Sequence, residues 1–388
     1  MFTCRVPEFV YRDPWILPLA MRQQALIRGQ RRVAYFYEEP NNSTFRYRAY
    51  NMVHVLNETP GSEVSASYFF LDDLGHIDNL ADLADILVVC RSRYCHRIHH
   101  LISTFRRRHK RVFFDVDDLV FDPDYVHLIM ETLDQNPDNP ALWDHWYAYI
   151  ARMGAALKLC DAAIATNQYL ADRIADYSGL PIGIVPNFIN QEQMEISESI
   201  YASKIASGFD RDDRIDLGYF SGSPSHNRDF EMIVPALEDL LADHPQIALH
   251  LTGYIDCPDS LHRFKNRITK YAFHDYVNLQ RLTGRVEFNL VPLQSNIFTH
   301  CKSELKYFEA AITGTISIAS PTYTYGLAIR NEENGYLARG HQWASVIRQA
   351  INDMDSYPER AQAAFTDVRD HYAWFNQREV ILKALDIA

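Results

Sequence analysis

Long apolar runs are absent from this sequence, and no stretch approaches the roughly 20 apolar residues that a membrane-spanning helix needs. The first thirty residues carry Arg5, Glu8 and Arg12 through their mildly apolar part, so we expect no signal peptide there. Cysteine is also scarce, and the six cysteines include no C-x2-C pair. This pattern predicts reduced thiols in a cytoplasmic protein and no zinc site.

The chain also lacks an excess of positive charge. Its formal net charge of -12 argues against nucleic acid as a general partner. A G-x-S-x-G elbow and a P-loop are both missing, which argues against a serine hydrolase of that type and a P-loop nucleotidase. A hydrophobic fraction of 47% over 388 residues is ordinary for a globular protein with room for two domains.

Short apolar segments rich in β-branched and aromatic residues alternate with helical patterns along the whole chain. This alternation predicts an α/β fold, with parallel sheets covered by helices on both faces. The predicted strands cover residues 32–37, 65–71, 85–90, 111–116, 161–166, 182–186, 215–220, 247–254, 286–293 and 315–319, with a short edge strand within 323–338.

Residues 286–321 have the pattern strand, loop, helix, strand, and the helix carries charges on one face. Lys302, Lys306 and Glu309 recur at i, i+4 and i+7, while apolar residues occupy the core-facing positions. Ser303 is predicted to cap the helix, whose free N–H groups favour a phosphate. We expect the lysines to neutralise a diphosphate and Glu309 to accept hydrogen bonds from two ribose hydroxyls. The alternative is an ordinary surface pair between Lys306 and Glu309.

At these residues the sequence resembles retaining glycosyltransferases of the GT-B fold, in the glycogen-synthase-like group that includes enzymes of bacterial surface-polysaccharide assembly. Glu309, Gly314 and the strand at 316–320 match the second half of that group's Glu-x7-Glu signature. The resemblance implies that Glu309 holds the ribose. The group's first Glu, which helps to hold the transferred sugar, is replaced by Cys301, and Glu304 is the candidate substitute.

The resemblance adds a second part to the donor site. Gly222 and Ser223 form a tight turn where the backbone can approach a phosphate. The group has a Gly-Arg turn and a later Lys that bind the diphosphate, and Ser223 and Arg228 occupy those positions here. His226 is an auxiliary candidate, and Gly253 is expected to lie under the nucleotide base. For Arg228, a surface charge at a helix start is the alternative.

Polar residues follow the first and the fourth predicted strands, at the sheet edge where α/β proteins bind ligands. The candidate acceptor-binding residues are Thr44, Arg46, Arg48, Asp115, Asp117 and Asp118. Among these, Asp117 is the candidate for orienting the reacting hydroxyl. The predicted catalytic set is therefore Asp117, Arg228, Lys306 and Glu309. We expect no metal and no other cofactor, with a nucleotide sugar as co-substrate.

Residues 91–111 contain seven Arg and one Lys without any acidic residue. One interpretation is a basic amphipathic helix that lies on anionic lipid, which would place the protein peripherally at the inner face of a membrane. The alternative is the solvated face of a helix that packs on the sheet. Cys95 with the nearby histidines His96, His99 and His100 also permits a weaker metal-site interpretation.

The resemblance implies two Rossmann-like domains that face a cleft. We predict an N-terminal acceptor-side domain at 1–190, a linker at 191–213, a C-terminal donor domain at 214–358, and a final helix at 359–388 that crosses back to the N-terminal domain. The implied reaction transfers a sugar, with retention, from a nucleotide diphosphate donor to a hydroxyl of a glycan or lipid-linked glycan, in polysaccharide, O-antigen or capsule synthesis. A nucleotide-sugar epimerase on the same scaffold and a non-catalytic partner subunit are the alternatives.

Overall fold

The computed structural model describes residues 1–3, 7–58, 63–222 and 227–387. These residues form two six-stranded sheets, of order β2-β1-β3-β4-β5-β6 and β12-β11-β10-β7-β8-β9, and neighbouring strands run parallel. The strands are β1 Arg31–Phe36, β2 Val64–Phe69, β3 Ile86–Cys90, β4 Arg111–Asp115, β5 Ala162–Ala165, β6 Ile182–Ile184, β7 Ile215–Ser221, β8 Ile247–Gly253, β9 Ile268–Tyr271, β10 Phe288–Val291, β11 Ile316–Ala319 and β12 Tyr336–Leu337. The predicted α/β architecture with two parallel sheets is confirmed.

Helices cover the faces of both sheets. They are α1 Leu19–Leu26, α2 Asn51–Asn57, α3 Ile77–Leu83, α4 His96–Arg107, α5 Val126–Thr132, α6 Pro140–Leu157, α7 Gln168–Ser178, α8 Gln191–Ala206, α9 Asn227–Glu231, α10 Val234–Asp243, α11 Tyr276–Thr283, α12 Ile297–His300, α13 Leu305–Ala311, α14 Tyr323–Ala328, α15 Trp343–Asn352, α16 Tyr357–Tyr372 and α17 Arg378–Ala384. Strand β9 was not predicted, because a four-residue edge strand whose side chains are all at least partly exposed has too little apolar periodicity to stand out.

The first sheet is buried on both sides by separate apolar clusters, as a parallel sheet requires. Helix α4, in the basic segment 91–111, buries Ile98, Leu101 and Phe105 in one of these clusters. Its apolar face therefore packs on the sheet and is not available for insertion into lipid. The structure agrees with the alternative interpretation, a sheet-packing helix with a solvated basic face.

The predicted linker at 191–213 contains the sixteen-residue helix α8, which contacts both domains. At its start, Asn190 donates from Nδ2 to Asn51 Oδ1 in the N-terminal domain at 3.1 Å. Near its end, the Lys204 ammonium donates to the Gly314 carbonyl and to Thr315 Oγ1 in the C-terminal domain, each at 3.1 Å. The connection between the domains is thus an ordered helix, and the predicted domain boundaries stay a prediction.

The C-terminal segment crosses back to the N-terminal domain, as predicted. Instead of one helix it forms α16 and α17, and the chain between them leaves the helical conformation at Ala373. There Ala373 pairs with Ile189, the residue that precedes α8 by two positions. Helix α17 then packs so closely on β6 that a Cβ at Gly183 would lie 2.8 Å from the Cβ of Ala384.

Among the described residues, no helix is both long enough and apolar enough to cross a membrane.

Gly253 ends β8 with φ at 87°, and a Cβ added there would lie 2.0 Å from the Ser221 carbonyl oxygen. Gly179 has a similar φ of 69° but no atom within 4 Å of an added Cβ. We expect Gly179→Ala to lower the free energy of unfolding by about 1–2 kcal/mol through backbone strain alone. Gly253→Ala should cost about 1–3 kcal/mol more, because backbone must move.

Urea unfolding of the two variants beside the wild type measures this difference. Equal losses would show that the approach of β8 to Ser221 is not tight.

Candidate functional site

The donor segment of the second sheet has the predicted element order. Strand β10 leads into α12 and α13, and β11 follows, so one short helix stands where only a loop was expected. Helix α13 begins at Leu305, after Glu304, and no side chain caps it. The prediction that Ser303 caps this helix is therefore wrong, because Glu304 occupies the capping position and Ser303 lies one residue before it with a buried side chain.

Glu309 is buried at the interface between the two domains. Its Oε1 accepts hydrogen bonds from Arg46 Nη2 at 3.2 Å, from Gln193 Nε2 at 3.0 Å and from the Tyr47 hydroxyl. The Arg46 guanidinium lies between the rings of Tyr47 and Tyr276, 4.0 Å and 4.4 Å from their centroids. Glu309 thus faces the N-terminal domain, and its carboxylate is held by the π-helical turn after β1 and by α8. The alternative interpretation, an ordinary surface pair between Lys306 and Glu309, does not agree with the burial of Glu309.

Lys306 is half-buried beside Glu309 on the same helix, with its ammonium 5.0 Å from the centroid of the Tyr219 ring. Burial lowers the pKa of Lys306 to about 8. Lys302 lowers the pKa further, whereas Asp229 and Glu309 oppose the shift. Within the part of the chain that the structure describes, no carboxylate lies in ion-pair distance of Lys306, so it is poised to bind an anion.

The other two cations of the predicted phosphate site pair with carboxylates of the N-terminal domain. The Lys302 ammonium lies 3.3 Å from Asp118 Oδ2. Arg228 donates from Nε to Asp134 Oδ1 at 2.6 Å and from Nη1 to the Glu131 carbonyl at 3.1 Å. Both cations thus point across the domain interface, and Arg228, at the start of α9, is a partly exposed charge paired with Asp134.

Arg48 and Asp115, two predicted acceptor contacts, are fully buried in the N-terminal domain. Two hydrogen bonds, Nε to Oδ1 at 2.7 Å and Nη2 to Oδ2 at 2.9 Å, join them in a bidentate pair. Arg48 also donates to the Val185 carbonyl at 2.7 Å and to Asn187 Oδ1 at 3.1 Å. The pair has no open surface on which to contact an acceptor, so its observed role is to join β4 to the chain that leads into α8.

Asp117 lies at the carboxyl end of β4 and is held from two sides. It accepts hydrogen bonds from Thr44 Oγ1 at 3.0 Å and from Arg91 Nη1 at 2.8 Å. Burial alone would raise the pKa of Asp117, but Arg91, Arg48 and Thr44 outweigh it and hold the pKa below its usual value. An aspartate in this state stays ionised at neutral pH and is a weak base, which suits orienting a hydroxyl better than removing its proton.

Cys301 and Glu304, near the start of the signature, contact other parts of the protein. Cys301 is fully buried in the apolar cluster of the N-terminal domain, and its carbonyl accepts from Asn167 Nδ2 at 2.9 Å. Glu304 accepts a hydrogen bond from the Tyr372 hydroxyl at 2.6 Å. Burial raises the pKa of Glu304, although the bond from Tyr372 opposes this. Sugar recognition by Glu304 stays a prediction.

Two glycines of the predicted donor site lie at the ends of neighbouring strands. Gly222 is exposed directly after β7, and Gly253 ends β8 against Ser221. Ser223 and His226, also predicted to contact phosphate, lie outside the described residues.

Four residues in this arrangement were not singled out from the sequence, namely Tyr47, Gln193, Arg91 and Asp134. Tyr47 stands in a π-helical turn, Arg46–Tyr50, which rotates neighbouring side chains differently from an α-helix. The spacing of a strand or of an α-helix therefore does not predict the direction in which the Tyr47 side chain points. For Gln193, no local feature of a helix predicts a contact with a side chain 116 residues away.

Among the described residues, no group of three or more His, Cys, Asp or Glu side chains is placed to hold a metal ion. The metal interpretation of Cys95 and its neighbouring histidines therefore gains no support.

No protein-family model and no curated protein sequence matches the chain. Solved structures do match it. HepE from Anabaena, crystallised with UDP, aligns with a TM-score of 0.62 at 11% identity, over 92% of this chain and 100% of that one. Sucrose-phosphate synthase from Thermosynechococcus elongatus aligns with a TM-score of 0.61 at 12% identity, over 92% and 97%. A glycosyltransferase from Rickettsia africae aligns with a TM-score of 0.60 at 12% identity, over 92% and 99%.

The chain has the GT-B fold. In this GT-B chain the Glu309 contacts, the Lys302 pair and the Arg228 pair all join the lobe of the first sheet and α8 to the lobe of the second.

We expect Asp115→Ala to lower the free energy of unfolding by about 3–5 kcal/mol, because the Arg48 guanidinium would stay buried without a counter-charge. Asp78→Ala is the control, since it removes the exposed partner of Arg108 at 2.9 Å. That change should cost about 1 kcal/mol or less. Urea unfolding measures both, and a loss at Asp115 as small as that at Asp78 would contradict a structural role for the buried pair.

Proposed function

We propose that the protein is a glycosyltransferase that moves a sugar, with retention, from a nucleotide diphosphate donor to a hydroxyl of a glycan or lipid-linked glycan. Surface-polysaccharide synthesis, of O-antigen or capsule type, is the proposed setting. We place the reaction in the cytoplasm, as the scattered cysteines favour, at the inner face of a membrane when the acceptor is lipid-linked. The observation that carries the proposal is the set of three cations, Lys302, Lys306 and Arg228, on the donor half of a GT-B interface.

A diphosphate needs several donors with fixed positive charge, and these three side chains supply them. HepE, which shares the fold, has been crystallised with UDP-glucose, and this supports a nucleotide sugar as the ligand class. In our proposal, the cations stabilise the charge that develops on the leaving diphosphate, an electrostatic contribution of about 3–4 kcal/mol for each well-placed donor. Gly222, exposed directly after β7, is the proposed point at which backbone approaches the phosphates.

The remaining residues divide between the two substrates. Glu309 holds the ribose hydroxyls once it exchanges its present bonds with Arg46, Tyr47 and Gln193 for bonds to the nucleotide. Asp117, ionised and fixed by Thr44, orients the acceptor hydroxyl. Retention is proposed to follow from front-face displacement, in which the leaving phosphate accepts the proton and no separate base is needed.

A panel of nucleotide sugars, incubated with and without glycan and lipid-linked acceptors, tests the proposal. Release of nucleoside diphosphate that requires an acceptor supports transfer, and the anomeric configuration of the product decides retention. Formation of an isomeric nucleotide sugar without acceptor would instead support an epimerase. Binding of the nucleotide sugar without turnover on any acceptor would support a non-catalytic subunit.

Lys306→Met should weaken UDP binding by about 10- to 100-fold, the loss expected for one charged hydrogen bond. In the wild type, affinity should fall as pH rises through about 8, because Lys306 loses the proton that gives it its charge. This fall should be absent in Lys306→Met. Calorimetric titrations between about pH 6.5 and 9.5 measure both effects.

Lys270→Met is the matched control, because Lys270 belongs to the same domain but is exposed and pairs with Asp256. It should leave both affinity and pH profile unchanged. If Lys306→Met keeps the wild-type profile, Lys306 does not bind the diphosphate.

A further inference from the structure

Two ion pairs cross the interface between the domains. Lys302 and Arg228 belong to the donor half, and their partners Asp118 and Asp134 belong to the N-terminal domain. Asp118 follows β4, whereas Asp134 follows α5, so two separate parts of the N-terminal domain contribute a carboxylate. Two of the three cations proposed to bind a diphosphate are therefore already paired with carboxylates of the chain itself.

The pairs are held to different degrees. Lys302 and Asp118 expose only 19% and 15% of their side chains, whereas Arg228 and Asp134 expose 37% and 43%. Water screens the outer pair more strongly, whereas its N–O distance of 2.6 Å is shorter than the 3.3 Å of the inner pair. Lys306 lies near Lys302 and has no such carboxylate among the described residues, so it is the cation that an incoming anion meets uncompensated.

A diphosphate cannot simply add to these pairs. Its negative charge would lie beside Asp118 and Asp134, and juxtaposed like charges in a partly buried interface repel strongly. The phosphate oxygens would also compete for the ammonium and guanidinium groups that the two carboxylates contact now. Nucleotide binding and carboxylate contact at Lys302 and Arg228 are therefore alternatives.

We propose that Asp118 and Asp134 are built-in competitors of the donor diphosphate. Without nucleotide they hold the N-terminal domain against the donor half, and a diphosphate displaces them, starting from Lys306. This inference rests on the function proposed above. Its consequence is quantitative, because the apparent affinity for the nucleotide is the intrinsic affinity multiplied by the fraction of molecules in which the two pairs are broken.

The double variant Asp118→Asn/Asp134→Asn tests the inference in the full chain. Asn keeps the size of each side chain but removes the charge that competes with phosphate. Asp72→Asn/Asp138→Asn is the control with the same change in net charge, since both aspartates are exposed and neither forms an ion pair within the described ranges. Circular dichroism checks that each variant is folded.

Two measurements follow. Small-angle X-ray scattering without nucleotide should give a larger radius of gyration for the double variant than for the wild type or the control. Calorimetric titration with UDP should give an affinity about 2- to 20-fold higher for the double variant, the gain expected from removing two partly exposed ion pairs. An unchanged radius with an unchanged or weaker affinity overturns the inference.

Salt supplies a test that needs no mutation. At about 0.5 M NaCl, where screening acts within a few ångströms, the wild type should expand toward the radius of the double variant. A wild type that keeps its low-salt radius overturns the inference. If neither the wild type nor any variant binds UDP or another nucleoside diphosphate, the proposed function fails. The radius of gyration of the variants, and of the wild type in salt, then decides by itself whether the two aspartates hold the domains together.

Discussion

A buried carboxylate needs hydrogen-bond donors, and for Glu309 those donors come from outside its own domain. The helix that carries Glu309 belongs to the second sheet, whereas Arg46 and Tyr47 follow the first strand of the first sheet and Gln193 belongs to the connecting helix. Leaving such a group unpaired in the interior would cost several kcal/mol. The hydrogen bonds of Glu309, the proposed ribose carboxylate, therefore depend on the relative position of the two sheets.

This dependence gives the connecting segments their importance. Helix α8 carries Gln193 at one end and binds the loop before β11 through Lys204 at the other. The C-terminal segment meets the start of α8 at Ile189 before α17 packs on β6. Two ordered connections thus cross between the domains, and any opening must bend the chain at their ends, where such motions are usually absorbed.

Much of the fold and part of the site could be predicted from local patterns. The parallel strands appear as apolar runs between helical segments. Ten of the twelve observed strands overlap a predicted strand for which residue bounds were given. Lys302, Lys306 and Glu309 were predicted on one face of a single helix, but only Lys306 and Glu309 belong to α13, and Lys302 lies before its start. All three side chains nevertheless lie at or near the domain interface. The predicted cap at Ser303 is wrong because a second short helix, α12, precedes α13. Asn296 caps α12, and α13 begins only at Leu305, after Glu304.

The sequence by itself determined the alternation of strands and helices along the chain, the burial of both sheets and the spacing of Lys306 and Glu309 on the donor helix, because backbone geometry repeats every 2 or 3.6 residues wherever the element lies. Only the tertiary structure decided which opposite charges meet. Arg46 and Glu309 are 263 positions apart, and Asp134 and Arg228 are 94 apart. Such partners are chosen by how two separately packed sheets dock, and that depends on the shape of the whole interface, which no local period encodes.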